Sequence, residues 1–187
     1  MASYAEWAAR WRVPLHFVLA AVVLLLARPQ PKWLAAGTGL VTVGVLVRAW
    51  AAGHLRRDPD PSGLTRSGPY AHLRHPLYFG SGIILAGFAA ASGRLSLAAL
   101  LAAYFLFLFV PVLRREERNL RAAFPEEYSA FAARVPALLP RLTPARGLGD
   151  ASAQKFNRQL YLRNQEWKSA LCSAAALALL YAKMLWG

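Results

Sequence analysis

The sequence predicts an all-α integral membrane protein with five transmembrane helices and a cytoplasmic helical cap between spans four and five. Three observations carry that expectation. The chain of 187 residues is 57% hydrophobic with a mean hydropathy of +0.31, above the ~45–50% apolar content usual for soluble domains. Apolar runs close to membrane-crossing length recur five times, at about 13–27, 33–52, 77–92, 95–113 and 169–186, where ~20 residues cross a hydrocarbon core of ~30 Å. Polar and charged residues gather between those runs rather than within them, as expected where a charge at mid-bilayer costs at least ~2.5 kcal/mol.

The elements follow in order. Span one begins after Trp11 and Arg12, with no small-residue cleavage site after it that would mark a signal peptide. Arg28-Pro29-Gln30-Pro31-Lys32 joins it to span two, and Gly93-Arg94 joins span three to span four. Such short connections make antiparallel helical hairpins, and helices alone satisfy every backbone polar group within a single apolar segment. With five spans, the N-terminus, the loop from Gly53 to Pro76 and the segment from Arg114 to Lys168 share one face. That face, with Arg48, holds every Lys and Arg except Arg28, Lys32, Arg94 and Lys183. The positive-inside rule makes it cytoplasmic, with the C-terminus outside.

The net charge of +13 suits anionic lipid headgroups. It does not suggest nucleic acid, because the aromatics lie in apolar runs and not among the basic residues. The single Cys172 allows no intrachain disulfide and no cysteine metal cluster.

On the cytoplasmic face, Asp58-Pro59-Asp60-Pro61-Ser62-Gly63 reads as a turn-rich loop. Phe124-Pro125-Glu126-Glu127 reads as a helix start, with Pro at the first position and acids in the first turn. That helix should stop before Pro136. Between Ala151 and Trp167, the spacing of Phe156, Leu160 and Trp167, with Lys155, Arg158 and Arg163 beside them, predicts an interfacial helix leading into span five.

The chemistry-bearing residues cluster at span ends. His72 and His75 stand three apart, but zinc needs more ligands than two. No Cys or carboxylate follows at motif spacing, so no metal site is expected. The bland reading of His75 is an interfacial hydrogen-bonding residue. Gly37, Gly39 and Gly44 lack the preceding strand of a dinucleotide loop and read as helix-packing positions. For Gly80-Ser81-Gly82 two readings stand: a packing notch, or a place where a ligand approaches bare backbone. Glu116 and Glu117 either offset Arg114, Arg115 and Arg118 on a solvated face or converge with the His75 cluster from a neighbouring helix. A carboxylate there would accept from a ribose diol or pair with a cationic ligand. Lone His16 and Cys172 read as core packing. No serine-nucleophile elbow, zinc-protease pair, phosphate-binding loop or kinase signature is present.

Gly68-Pro69-Tyr70, then Arg74-His75-Pro76-Leu77-Tyr78-Phe79-Gly80, Glu116-Glu117 with Leu120, Phe124 with Glu127-Tyr128, and Arg134-Val135-Pro136 with Pro140 together resemble the isoprenylcysteine carboxyl methyltransferase and phospholipid methyltransferase superfamily. Ala52-Gly53-His54-Leu55-Arg56-Arg57 and the tail from Phe156 to Trp167 are more similar to its small bacterial members than to the eukaryotic prenylcysteine enzymes. The resemblance implies one membrane-embedded methyltransferase domain over residues 1–187, its cap and interfacial helix occupying 114–168. The implied cofactor is S-adenosylmethionine, enclosed by Tyr70, Arg74, His75, Pro76, Tyr78, Gly80 and Gly82, with Glu116 and Glu117 completing its polar contacts. Tyr128, Arg134 and Pro136 would belong to the cap, and His75, Glu117 and Arg134 are the implied catalytic residues. The implied acceptor is a lipophilic small molecule or lipid, either a phospholipid amine or an isoprenoid-like carboxylate. Two other classes compete: an NADPH-dependent membrane reductase of the sterol reductase type, which shares Arg-His-Pro-x-Tyr, and a non-catalytic membrane scaffold or lipid-binding protein.

Overall fold

In the computed structural model, residues 4–56, 64–145 and 155–186 are described, and they are helical with no strand among them. The helices are α1 (Tyr4–Leu26), α2 (Pro31–Ala52), α3 (Pro76–Ala91), α4 (Leu95–Tyr104), α5 (Val110–Ala123), α6 (Pro125–Arg134), α7 (Arg158–Arg163) and α8 (Glu166–Trp186). A 3₁₀ turn over Gly68–Ala71 precedes α3, and a π-helical turn over Phe105–Phe109 joins α4 to α5 without a break. Three helices are long and apolar enough to cross a membrane: α2, α8 and the continuous rod Leu95–Ala123. Pro14–Leu26 and Pro76–Ala91 are apolar but shorter.

Several boundaries differ from the sequence-based expectation. α1 starts well before residue 13, because Trp7 and Arg10 extend the helix past the apolar run and Pro14 is carried inside it. The fourth apolar run does not end its helix at Leu113; α5 carries Arg114 to Arg121 onward as part of the same rod. The helix expected at Pro125 is present, with Phe124 as its cap and its last residue at Arg134. Of the interfacial helix expected over 151–167, only Arg158–Arg163 forms a separate helix among the described residues. Gln165 takes a positive φ of 57° and breaks the chain there, so Glu166 and Trp167 open α8 instead. The turn-rich stretch 58–63 lies outside the described residues.

The α2–α3 pair is the centre of the packing. Gly37 and Gly44 on α2 face Gly87 and Gly80 on α3, so the two backbones touch. A Cβ on Gly44 would lie 2.8 Å from the Gly80 carbonyl oxygen, and one on Gly80 would lie 2.9 Å from that of Gly44. Gly39, one helical face away, meets nothing within 4 Å. Small residues at seven-residue spacing let membrane helices approach this closely.

Hydrogen bonds fix which helix ends lie together. Arg28 N–H donates to Ser92 O (2.8 Å), and Lys183 Nζ donates to the C-terminal carbonyls of α1 at Leu24 (2.8 Å) and Leu25 (2.6 Å). Gly93, at φ +64°, packs against the Arg28 carbonyl, where a side chain would collide. Both short loops and the end of α8 therefore meet at one end of the bundle. At the other end, buried Asn164 donates to Ala52 O (2.9 Å) and Leu55 O (3.0 Å), closing the exposed carbonyls that end α2. Large apolar side chains such as Leu25 (75% exposed) and Phe107 (64%) face outward along the helices, which is the surface a bilayer covers.

Candidate functional site

The site is built where the segment preceding α3 meets α5 and the cap. The end of the 3₁₀ turn and the irregular segment that follows it, residues 71–75, are clamped by the chain that follows α6. Arg74 N–H donates to Pro136 O (2.8 Å) and His75 N–H to Ala137 O (3.2 Å). In return, Arg141 N–H donates to His72 O (3.0 Å) and Ala145 N–H to Ala71 O (2.9 Å). His72 Nδ1 adds a bond to Arg141 O (2.8 Å). Pro136, which keeps α6 from running on past Arg134, thus starts the irregular chain that makes these bonds. They hold the cap over the motif. The cap has its own core of Tyr128, Phe131, Val135 and Ala145.

His75 caps α3, and Pro76, in the first turn, begins it. The imidazole is 3% exposed and its Nε2 lies 3.2 Å from Glu117 Oε1 on α5. Burial pulls the His75 pKa below its ordinary value, against the upward pull of Glu116 and Glu117. The ring is therefore neutral near pH 7 and donates its Nε2 proton to the carboxylate. Arg74 Nη1 reaches the same Glu117 oxygen (2.9 Å) and donates to the Tyr128 hydroxyl (3.0 Å), with its guanidinium 5.8 Å from the centre of the Tyr128 ring. Tyr78, one turn into α3, donates to Glu116 Oε2 (2.8 Å). The two carboxylates of α5 are thus met by three side chains from α3 and the segment before it. Burial first, then the charges of Glu116 and Glu166, pushes the Tyr70 hydroxyl above its ordinary pKa, so it stays protonated as a donor.

The other expected site residues fall elsewhere. Gly80 faces α2, where the Arg48 side chain and the Gly44 carbonyl fill the space a Cβ would need. That is a packing notch. Gly82 faces the Phe105 ring at 3.5 Å. Arg134 is exposed at the last turn of α6, its carbonyl accepting from Arg141 Nη1 (2.5 Å). The bonds that define the cluster run through Arg74, His75, Tyr78, Glu116, Glu117 and Tyr128.

Two residues were missed. Arg48, near the end of α2, forms a two-pronged pair with Glu166 at the start of α8, Nε to Oε2 at 2.9 Å and Nη2 to Oε1 at 2.8 Å. Its Nη1 donates to Leu77 O (3.2 Å) and to Ser81 Oγ. A single Arg inside an apolar run was the available signal, since such a charge needs a partner. The partner was hidden 118 residues away.

Chemically, the cluster offers what a zwitterionic, hydroxyl-rich ligand requires: two carboxylates, two tyrosine hydroxyls and a guanidinium. Arg74 Nε is buried and has no hydrogen-bond partner. This donor suits an acceptor atom of a bound molecule. A groove of about 290 Å³, lined by Arg114, Glu117, Arg118 and Arg121, opens Glu117 to water. Among the described residues, no group of three or more His, Cys, Asp or Glu side chains is placed to hold a metal ion.

Known proteins are similar to this chain over most of its length. The phospholipid methyltransferase family model matches residues 33–127, just over half of the chain, from α2 to the first turn of α6. The cobalt-zinc-cadmium resistance protein CzcN of Cupriavidus metallidurans is 36% identical over 165 residues, covering 84% of this chain and 74% of that protein. The nickel-cobalt-cadmium resistance protein NccN of Alcaligenes xylosoxydans xylosoxydans is 34% identical over 140 residues, 71% of this chain; the chain spans 64% of that protein's length. No solved structure matches. With the motif residues of α3 and α5 in contact and the family model running through both, the chain belongs to the phospholipid methyltransferase family.

Proposed function

We propose that the protein transfers a methyl group from S-adenosylmethionine to a lipophilic acceptor resident in the membrane, at the cytoplasmic boundary of the bilayer. One observation carries the reading: Glu116 and Glu117 of α5 meet Tyr78, His75 and Arg74 through three contacts of 2.8–3.2 Å, beside Tyr70 and the orphaned Arg74 Nε.

The residues fit the cofactor by charge and hydrogen bonding. Glu116 and Glu117 suit the ribose diol and the ammonium, and Arg74 suits the carboxylate. When bound, the cofactor supplies a methyl group already activated by its sulfonium. The protein then has three tasks. Arg74 and Tyr128 hold Glu117 in place, the cap segment 136–145 shuts water from His75, and the neutral His75 imidazole keeps a proton on Nε2 that fixes the carboxylate's direction. A protonated amine acceptor must first lose a proton, a task for which Glu117, half-buried and lining the groove, is the candidate base. A carboxylate acceptor needs no base.

The same reading makes residues 1–187 one membrane-embedded domain of five spans, with the shorter apolar helices α1 and α3 crossing beside the three longer ones. The motif end of the bundle faces the cytoplasm, and the C-terminus lies outside. The alternation of helix ends supports this arrangement, and the charge distribution chooses the side. Both relatives are named for resistance to divalent cations. We infer that modification of a membrane lipid is the setting in which this chain would contribute to such resistance.

The test is calorimetry of S-adenosylhomocysteine binding to purified protein in detergent. Binding that is lost in Glu117→Ala and weakened at least tenfold in His75→Ala is expected. A preference for NADPH would move the assignment to a sterol-reductase-like enzyme. Failure of the folded protein to bind either ligand would leave a non-catalytic lipid-binding scaffold. For topology, a cysteine at position 32 in a Cys172→Ser background should react with an impermeant reagent in intact cells, and one at position 115 should not; the reverse pattern overturns the orientation.

A further inference from the structure

The cluster accounts for the polar groups at the cytoplasmic end, but one polar pair lies deeper. His16 sits at the middle of α1, ten residues before its C-terminal end. Its Nδ1 is 2.5 Å from the Tyr104 hydroxyl of α4, and its ring is exposed on the outer face of the bundle. A polar ring on the outer face of an apolar helix is costly in a bilayer, and an apolar side chain would serve there if packing were all that it did.

Three further features lie at the same seam. A groove of about 320 Å³ runs between α1 and α4, walled by Leu15, Val18 and Val22 on one side and Leu100, Ala103 and Phe107 on the other, with Tyr104 in its lining. No charged side chain lines it. The π-helical turn begins at the next residue, Phe105, and such turns concentrate at functional sites. Finally, the pair is one aromatic ring away from the methyl-transfer cluster. Phe109 touches Tyr104 and His16 (ring centres 5.8 and 6.1 Å) on one side and Tyr78 (6.0 Å) on the other, and Tyr78 is the residue bound to Glu116.

We propose that the α1–α4 groove holds the hydrocarbon chain of the methyl acceptor and that the His16–Tyr104 pair binds its head, which is neutral and hydrogen-bonding: an alcohol, a phenol or an uncharged amine. The inference rests on the methyltransferase reading for the word acceptor. The chemistry selects the class. A carboxylate or phosphate in this groove would face Leu, Val, Ala, Phe and Tyr with no cation to offset its desolvation. A hydroxyl would find both a donor and an acceptor in the pair. A saturated tail without a polar head would fill the groove but leave the pair unused. Bulk acyl chains therefore have no preference for it.

The test uses photoreactive lipids in vesicles of phosphatidylethanolamine and phosphatidylglycerol: a long-chain alcohol carrying a diazirine, and the fatty acid of the same chain. Crosslinked peptides are mapped by mass spectrometry. The alcohol should label residues 15–22 and 100–108 several-fold over the outward faces of α2 and α8, and several-fold over the acid. Ala103→Trp, which fills the groove, should bring that labelling down to the level of the other helices. Tyr104→Phe combined with His16→Leu should keep the labelling but abolish the preference for alcohol over acid. Even labelling of all lipid-facing helices, or protection of the seam by a second copy of the chain, would overturn the proposal. S-adenosylhomocysteine binding is measured on the same samples. Binding without selective labelling sinks the groove alone; selective labelling without binding sinks the methyltransferase reading and leaves a site for neutral lipids.

Discussion

Replacing Arg48 by Ala tests whether the polar end of the bundle is held by charge or only surrounded by it. Arg48 donates to Glu166 through two nitrogens, and to Leu77 O and Ser81 Oγ through a third, tying α2, α3 and α8 together. The pair is shielded, with side-chain exposures of 21% and 11%. Two magnitudes compete. Removing one partner of a buried ion pair costs about 3–5 kcal/mol, whereas an average hydrogen bond between membrane helices contributes about 0.6 kcal/mol. The first governs here, because the deletion strands a carboxylate that is nearly enclosed. It is moderated because Glu166 opens α8, where the helix N-terminus favours negative charge by up to about 1 kcal/mol. Arg48→Ala should therefore cost about 2–3 kcal/mol, and Glu166→Ala a similar amount. The double variant should cost well below the sum, with a coupling of about 2 kcal/mol. Unfolding in mixed phospholipid–detergent micelles, followed by tryptophan fluorescence, measures all three. Additivity within about 0.5 kcal/mol would refute the argument, since independent sites behave that way.

The glycine faces and His75 give two further expectations. Gly44→Leu should destabilise the same micellar protein by about 3 kcal/mol or more, at or beyond the upper end of overpacking penalties, because the new Cβ would meet the Gly80 carbonyl and Ile84. Gly39→Leu should be neutral within about 0.5 kcal/mol, since that position meets nothing; equal costs at the two positions would show that the contact is not what matters. Because burial lowers the His75 pKa, the unfolded chain binds that proton more readily than the folded one. The His75 contribution is then fully present above its unfolded pKa of ~6.5 and shrinks as pH falls toward the lower folded value, by up to about 1.4 kcal/mol per pH unit. Wild type minus His75→Gln, followed from pH 8 to pH 5, should show that decline; a flat difference would mean the ring is not buried neutral.

What the sequence made legible follows from the range of the interactions. Pro125 with Glu126 and Glu127, and Pro136 beyond Arg134, set α6 locally, and the helix appears where the residues imply. The pairing of the His75 segment with Glu116 and Glu117 was readable because a single hairpin connects them. Gly80 was ambiguous because close approach to a helix and close approach to a ligand make the same demand on sequence. Only the position of Gly44 decided it. The interfacial helix before α8 was overestimated because apolar spacing does not register Gln165, whose positive φ ends α7. Arg48 with Glu166 was invisible, since pairing across 118 residues leaves no periodicity to read.

The long-range bonds also explain how so polar a site can stand at the end of a bundle of apolar helices. A cluster containing Arg74, His75, Glu116 and Glu117 is expensive in apolar surroundings unless every charge has a partner. Here each partner comes from a different segment: α5 supplies the carboxylates, the segment before α3 the Arg74 guanidinium and the neutral His75 donor, α6 the Tyr128 hydroxyl, and residues 136–137 the carbonyls that accept from the Arg74 and His75 backbone N–H groups. No pair of these elements completes the set. The polar cluster therefore forms only when the hairpin of α3 with the α4–α5 rod and the cap are all assembled. This makes the cap part of the site's electrostatics and not a cover laid over it. A ligand that binds Glu117 must compete with Arg74 and His75 for the same oxygen, so its binding should be felt in the cap segment 136–145 through the Arg74–Pro136 and His75–Ala137 bonds.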